Sequence, residues 1–132
     1  MTNEELLYQA MVLQKNSEEV ERNLNFVNEQ IQDFEQFSEN LRFLESEENK
    51  DILAALGKGV FGKAKLEDKK LFVSVGAGVV VRKTPSDTIR IIEKQLKKFN
   101  EARIALKSQL EEYTIAFREI MKKAEELKKR GD

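Results

Sequence analysis

The sequence predicts an α+β fold in which a long antiparallel helical coiled-coil hairpin carries two central β-hairpins. Three observations predict it. Apolar residues recur every seven positions near both ends of the chain, the middle changes to a period of two with glycine-containing turns, and the only proline lies where that middle ends. We therefore expect a single domain, 1–132, made of a first helix (1–48), a β-hairpin segment (49–85) and a second helix (86–132).

The first helix is predicted from an unbroken ladder of apolar residues. Residues at a seven-residue spacing stay on the face that a partner helix covers. Thr2 and Glu5 have the spacing of a capping box, which would start the helix near Asn3, and neither proline nor glycine interrupts it before Glu48. The main row is Leu6, Leu13, Val20, Val27, Phe34 and Leu41, and the second row is Ala10, Ser17, Leu24, Ile31 and Ser38.

The second helix has its own start signal. Thr84 can cap it, Pro85 suits the first helical position, and Asp87 favours the positive end of the helix dipole. Its rows are Ile92, Phe99, Leu106, Tyr113, Ile120 and Leu127, and Ile89, Leu96, Arg103, Leu110, Phe117 and Ala124. The similar lengths of the helices predict that the chain doubles back, in a register that stays open by a heptad. Arg103 either extends its charge to solvent or sets the register.

Between the helices, alternating apolar residues predict four strands in two hairpins. The strands are expected near residues 52–56, 60–66, 71–75 and 79–81, with turns at 57–59, 67–70 and 76–78. A few short strands are marginally stable alone and leave open edges. We therefore expect this segment to complete its sheets in an oligomer.

Composition and motifs argue against an enzyme, metal site or cofactor. The sequence has no cysteine and no histidine, and its carboxylates are scattered on solvent-facing positions. The segment GKGVFG, 57–62, fits the dinucleotide pattern G-x-G-x-x-G, but the residues after it predict a strand and a turn instead of a helix. These glycines are better explained by a hairpin turn.

Nucleic-acid and membrane partners are not expected either. Glu125 and Glu126 interrupt the basic residues near the end of the chain, which suit solvation and the negative end of a helix. No apolar run approaches the roughly 20 residues that span a bilayer. The start, MTNEELLYQ, lacks the basic and apolar regions of a signal peptide, so we expect a cytoplasmic protein.

Apolar residues outside the ladders concentrate near the expected meeting point of the helix ends. They are Leu7, Tyr8, Met11, Val12, Ile115 and Met121. One interpretation is that they stabilise helix packing there. The other is an adaptable surface for exposed apolar segments of other proteins, since methionine fits varied shapes.

The order of long helix, paired hairpins and long helix resembles the α-class subunits of prefoldin. The resemblance covers nearly the whole chain, includes the segment GKGVFGKAKLEDKKLFVSVGAGVVVRKT (57–84), and is strongest at VSVGAGVVV (73–81). It implies a hexamer of two α-class and four β-class subunits whose hairpins form a β-barrel platform from which the coiled coils extend. It also implies capture of unfolded proteins without ATP and their delivery to a group II chaperonin.

The resemblance also implies a role for particular residues, by position. Client contact is expected from Leu6, Leu7, Met11, Ile120, Met121 and Leu127. Subunit assembly is expected from Val60, Phe61, Leu66, Val73, Val75, Val79 and Val81.

Two other functions fit the same pattern. An architectural coiled coil would use its hairpins to set the oligomeric state and its helices to space fixed partners. A self-assembling prefoldin homologue would form rings or filaments without β-class subunits. An enzyme fits least, because no nucleophile, base and orienting group can be proposed from the spacing.

Overall fold

The computed structural model describes residues 2–46, 50–66 and 69–131, with the backbone alone at Lys50. It contains two long helices and two antiparallel strand pairs, which confirms the predicted α+β fold. The elements in chain order are α1 (Asn3–Ser46), β1 (Lys50–Gly57), β2 (Val60–Leu66), β3 (Leu71–Gly76), β4 (Val79–Lys83) and α2 (Pro85–Lys129). The expected end of the first helix at Glu48 and part of the turn at 67–70 lie outside the described residues.

Both helices begin as predicted. The backbone N–H of Glu5 donates to Thr2 Oγ1 at 3.2 Å, and the backbone N–H of Thr2 donates to the Glu5 carboxylate at 3.3 Å, which together form a capping box. At α2 the backbone N–H of Asp87 donates to Thr84 Oγ1 at 3.2 Å. Pro85 takes the first helical position, where its missing N–H leaves no bond unmade.

The residues of the heptad rows lie on the covered faces of the two helices. Every residue of the four predicted rows is buried or half-buried. The chain divides into two compact units, each with a segment of both helices. The first contains α1 up to Ile31 and α2 from Lys98, and the second contains residues 32–97 with both strand pairs.

The helix segments of the first unit are antiparallel. Leu13 and Ile120 line one groove, and Ser17 and Phe117 line another. Residue numbers therefore rise along α1 while they fall along the facing part of α2. The second groove brings together a small residue of α1 and a large one of α2, which is a favourable way to fill the space between two helices. It also fixes the register that the heptads left open.

Arg103, the one charged residue in the ladders, is half-buried in the first unit. Its Nη2 donates to Asn100 Oδ1 at 2.8 Å, one turn earlier on the same helix. The guanidinium is thus held on its own helix by a neutral acceptor.

The core of the second unit joins the helices to a strand. Leu41, Ile89 and Ile92 are buried together, and the partly buried side chains packed against them are Phe34, Leu71 and Leu96. Leu71 begins β3, so the hydrophobic cluster fixes that strand pair against the helices. Arg42 Nη2 lies 3.4 Å from Glu93 Oε1 at the edge of this interface, where exposure makes an ion pair weak.

Both strand pairs are hairpins closed in the same way. In β1–β2 the pairing passes from Ala55↔Phe61 to Gly57↔Val60, which leaves Leu56 as a one-residue bulge. In β3–β4 it passes from Ser74↔Val80 to Gly76↔Val79, and the bulged residue is Val75. The two turn residues have positive φ in both hairpins, at 52° and 78° for Lys58 and Gly59 and at 51° and 74° for Ala77 and Gly78. Positive φ at both turn positions is typical of type I′ turns, which match the twist of paired strands.

Candidate functional site

The β1–β2 pair, hairpin 1, has one fully exposed face. The register places Ala55 opposite Phe61 and Leu53 opposite Lys63, and all four residues are exposed. The other face is partly covered. Its half-buried residues are Ile52, Ala54, Gly62 and Leu66. Hairpin 1 therefore presents apolar and cationic side chains together on a surface that its own unit leaves open.

The β3–β4 pair, hairpin 2, repeats this arrangement. Leu71 and Val73 are half-buried on one face, and Phe72 on the other face is 70% exposed. Arg82 is the cross-strand neighbour of Phe72, and its guanidinium carbon lies 5.8 Å from the centre of the Phe72 ring. That distance permits a cation–π interaction, so an aromatic ring and a positive charge are again combined on an open face.

The residues predicted for assembly all lie on these two hairpins. Leu66 and Val73 are half-buried, and the exposed ones are Val60, Phe61, Val75, Val79 and Val81. The structure adds other exposed apolar residues that were not among them, namely Leu53, Leu56, Phe72 and Val80. The strict alternation of strand side chains could have identified Phe72 and Val80 as members of one face. The bulge that exposes Leu56 has no comparable signal in the sequence.

The residues predicted for client contact lie in the first unit, and they divide into two kinds. Leu6 is 1% exposed, whereas its neighbour Leu7 is 56% exposed and Met11 is 68% exposed. On α2, Met121 is exposed, and Ile120 and Leu127 are half-buried. Leu7, Met11 and Met121 thus offer apolar surface directly, while Leu6 is occupied by packing between the helices.

A shallow apolar groove lies beside these residues. It has a volume of about 340 Å³ and is lined by Tyr8, Gln9, Val12, Leu13 and Ile120. The exposed rings and methyl groups of Tyr8 and Val12 form one wall, so both residues join the candidate surface. Their position off the heptad ladder was the sequence signal for them.

The structure bears on three features considered in the sequence, namely metal ligands, the glycine motif and membrane-spanning helices. In residues 2–46, 50–66 and 69–131, no group of acidic side chains is arranged to hold a metal ion. Gly57 ends β1 and Gly59 is the second turn residue of hairpin 1, with φ of 124° and 78°, and Gly62 belongs to β2, so the G-x-G-x-x-G match is a hairpin. Across the same described ranges, neither helix has a stretch apolar enough to cross a membrane.

Two long heptad helices joined by two hairpins with open apolar faces define an α+β protein of the coiled-coil class. The prefoldin subunit family model matches residues 13–130, and the chain therefore belongs to the prefoldin family. Prefoldin is a chaperone family whose subunits form oligomers with other prefoldin subunits.

Similar proteins indicate to which class of prefoldin subunit the chain belongs. The prefoldin α subunit of Pyrococcus horikoshii is 33% identical over 131 residues, covering 96% of this chain and 88% of that protein. The prefoldin α1 subunit of Thermococcus kodakarensis is 38% identical over 98 residues, covering 73% and 67%. These relatives and the paired hairpins place the chain with the archaeal-type α-class subunits.

A solved structure shares the fold. It is the filamentous PFD from Methanocaldococcus jannaschii, with a TM-score of 0.69, 19% sequence identity, and coverage of 91% of this chain and 98% of the other. At this identity the likeness supports the arrangement of helices and hairpins.

Proposed function

We propose that this chain captures unfolded proteins without ATP, as part of a complex with β-class prefoldin subunits, and transfers them to a group II chaperonin. The capture surface consists of Leu7, Tyr8, Met11, Val12 and Met121, which we call the capture patch. The hairpins join the chain to its partner subunits through a β-barrel platform.

One observation carries this proposal. In the first unit the heptad residues are already covered by helix packing, yet the capture patch leaves large apolar side chains exposed next to an apolar groove. Burial of such a patch contributes about 25 cal/mol per Å² of apolar surface, so an apolar segment of another protein would gain free energy by covering it. Methionine at Met11 and Met121 suits contact with segments of varied shape, since its side chain is flexible and polarisable.

Capture by such a patch is weak for a single chain and strong for an assembly. Once one subunit holds a client, the patches of neighbouring subunits act at a high effective concentration, which can raise the overall affinity by roughly 10²- to 10⁴-fold. Weak single contacts also let the client leave stepwise. Transfer to a chaperonin requires this property.

The capture patch is tested with the variant Leu7→Ser, Met11→Ser, Met121→Ser. We expect normal assembly but weak suppression of the aggregation of heat-denatured citrate synthase by the complex with a β-class subunit. The matched control is Phe26→Ser, because Phe26 is also exposed in the α1 segment of the first unit, at 57%, but does not line the groove. Equal protection by the triple variant and the wild type would refute the capture patch.

Transfer is a separate step with its own test. Labelled citrate synthase held by the complex should move to an added group II chaperonin, and its release from the complex should accelerate with chaperonin concentration. A release rate that does not depend on the chaperonin would refute transfer while leaving capture intact.

A further inference from the structure

We propose that Met11 and Met121 form an oxidation switch, in which conversion of their thioethers to sulfoxides turns off client capture and reduction restores it. The inference rests on the proposed function, because it assigns a form of regulation to the capture patch. It follows from where the methionines of this chain lie and from the residue types that the chain lacks.

The chain has few side chains that an oxidant attacks readily. Its sequence contains three methionines and no cysteine, histidine or tryptophan. Cysteine and methionine sulfurs are the common targets of two-electron oxidants in proteins. Without cysteine, such oxidation is directed to the thioethers. Met1 lies outside the described residues, so the structure describes the other two methionines.

Both described methionines belong to the capture patch and are open to solvent. Met11 is 68% exposed on α1, and Met121 is 45% exposed on α2. Met11 follows Leu7 by four positions, so the two side chains lie on one face of α1. Met121 directly follows Ile120, which lines the apolar groove. A small oxidant can therefore reach both methionines without unfolding the chain, and it would modify the surface that clients contact.

The reaction is the transfer of one oxygen atom. The methionine sulfur attacks one oxygen of hydrogen peroxide, the O–O bond breaks, a sulfur–oxygen bond forms, and the other oxygen leaves as water. The sulfur loses two electrons and the peroxide gains them. Thiol-dependent methionine sulfoxide reductases reverse the step, because two thiols are oxidised to a disulfide while the sulfoxide oxygen leaves as water.

Sulfoxide formation removes the property on which capture depends. It converts a flexible apolar side chain into a polar one, which disrupts contact surfaces that contain methionine. Burial of the two side chains would no longer favour a client, so each single contact should weaken by at least about tenfold. Because several patches hold one client, the loss is multiplied in the assembled complex.

The fold and the assembly should not depend on the thioethers. Neither hairpin contains a methionine, and no methionine belongs to a heptad row. Oxidation should therefore reduce capture while helix packing and binding of partner subunits persist. This separation distinguishes a switch from general oxidative damage.

The test oxidises the chain alone and then measures capture by the complex. The wild type is treated with hydrogen peroxide, the peroxide is removed, and the chain is assembled with an untreated β-class subunit. Peptide mass mapping should show one added oxygen at Met11 and one at Met121, with Tm nearly unchanged. Suppression of citrate synthase aggregation should then require about tenfold more complex. Treatment with both epimer-specific reductases and dithiothreitol should restore it.

Two variants isolate the role of the thioethers. Met11→Leu, Met121→Leu keeps the patch apolar at similar volume, so it should protect citrate synthase equally before and after peroxide treatment. Met11→Gln, Met121→Gln places a polar amide where the sulfoxide would be, so it should protect as weakly as the oxidised wild type in both states. A leucine variant that lost protection after peroxide treatment would trace the effect to another group and overturn the proposal.

Failure of the switch and failure of capture give different results. If the untreated complex protects citrate synthase and the complex with both sulfoxides protects it equally well, the switch is refuted and capture stands. If peroxide that oxidises free methionine leaves both residues unmodified, the switch is refuted as well. If the untreated complex fails to protect, capture is refuted and the switch with it.

Discussion

The Ser86 hydroxyl donates a hydrogen bond of 2.5 Å to Glu45 Oε1, which joins the first turn of α2 to the last turn of α1. The carbonyl oxygen of the same Glu45 accepts a hydrogen bond of 2.9 Å from Lys69 Nζ, in the link between the two hairpins. A single residue thus holds three segments of the second unit together. Its carboxylate also lies near the start of α2, where the helix dipole favours negative charge.

The Glu45–Ser86 bond should contribute measurably to stability. Ser86→Ala removes the donor, and we expect the free energy of unfolding to fall by about 0.5 to 1.5 kcal/mol, as for a typical hydrogen bond. Urea unfolding measures it. Ser108→Ala is the matched control, because Ser108 is exposed in the interior of α2, where alanine favours the helix by a few tenths of a kcal/mol. Equal effects of the two substitutions would argue against the bond.

Leu6 and Leu7 should separate stability from client capture. Leu6→Ala removes a side chain that is 1% exposed, so we expect a loss of about 2 to 5 kcal/mol in the free energy of unfolding. Leu7→Ala should change it by less than about 0.5 kcal/mol, because Leu7 is exposed on the surface. For both variants, thermal unfolding measures stability, and suppression of citrate synthase aggregation measures client capture. A Leu6→Ala protein that lost client protection at undiminished stability would show that Leu6 contacts clients directly.

The turn of hairpin 2 should be improved by glycine at its first position. Ala77 has φ of 51°, a conformation that costs a residue with a Cβ roughly 1 kcal/mol, so Ala77→Gly should raise the stability of the chain by up to about 1 kcal/mol. The opposite change, Gly78→Ala, should destabilise, because Gly78 has φ of 74°. Chemical denaturation of both variants gives the comparison.

Gly62→Ala controls for the general effect of replacing glycine by alanine. Gly62 has no positive φ, and an added Cβ would lie 3.6 Å from Leu56 Cδ1, an ordinary van der Waals contact. Alanine there should stabilise by about 0.4 to 1 kcal/mol through the unfolded chain. If Gly78→Ala stabilised the chain as much as Gly62→Ala, the positive φ of Gly78 would not impose a free-energy cost on alanine.

The start of α2 should depend on pH through Asp87. A hydrogen bond with Thr84, followed by the hydrogen bond and the charge of Arg90, lowers the pKa of Asp87 below its usual value of 3.8. A carboxyl group with a lowered pKa stabilises the folded state above that usual value and loses this contribution as the pH falls through its pKa in the folded state. Asp87→Asn should therefore lower Tm at pH 7, and the difference from the wild type should shrink as the pH approaches 3. A pH-independent difference would mean that the charge of Asp87 is not its cause.

Much of the fold could be predicted because its signals are periodic and local. The heptad rows need only residues seven positions apart, and the caps at Thr2 and Thr84 need only a partner three positions away. The strands and turns follow from alternation and from glycines that permit positive φ. The same rules left the coiled-coil register open, because a shift of one heptad preserves every apolar match.

The candidate site was harder to predict because packed and exposed residues near a helix end share the same apolar chemistry. Leu6 and Leu7 are adjacent and chemically identical, yet one is buried and the other exposed. The sequence marked both as apolar. The heptad row separates the two, because Leu6 lies on the main row and Leu7 lies off it, but the expected roles assigned client contact to both.

By itself, the sequence determined the two helices, the two hairpins, the positive charge between them and the absence of cysteine and histidine. The tertiary structure decided the pairing of Ser17 with Phe117, the bond between Glu45 and Ser86 and the apolar residues that remain exposed. The physical reason is distance along the chain. Periodicity and capping act over a few residues, whereas burial and register depend on side chains that folding brings together from remote positions.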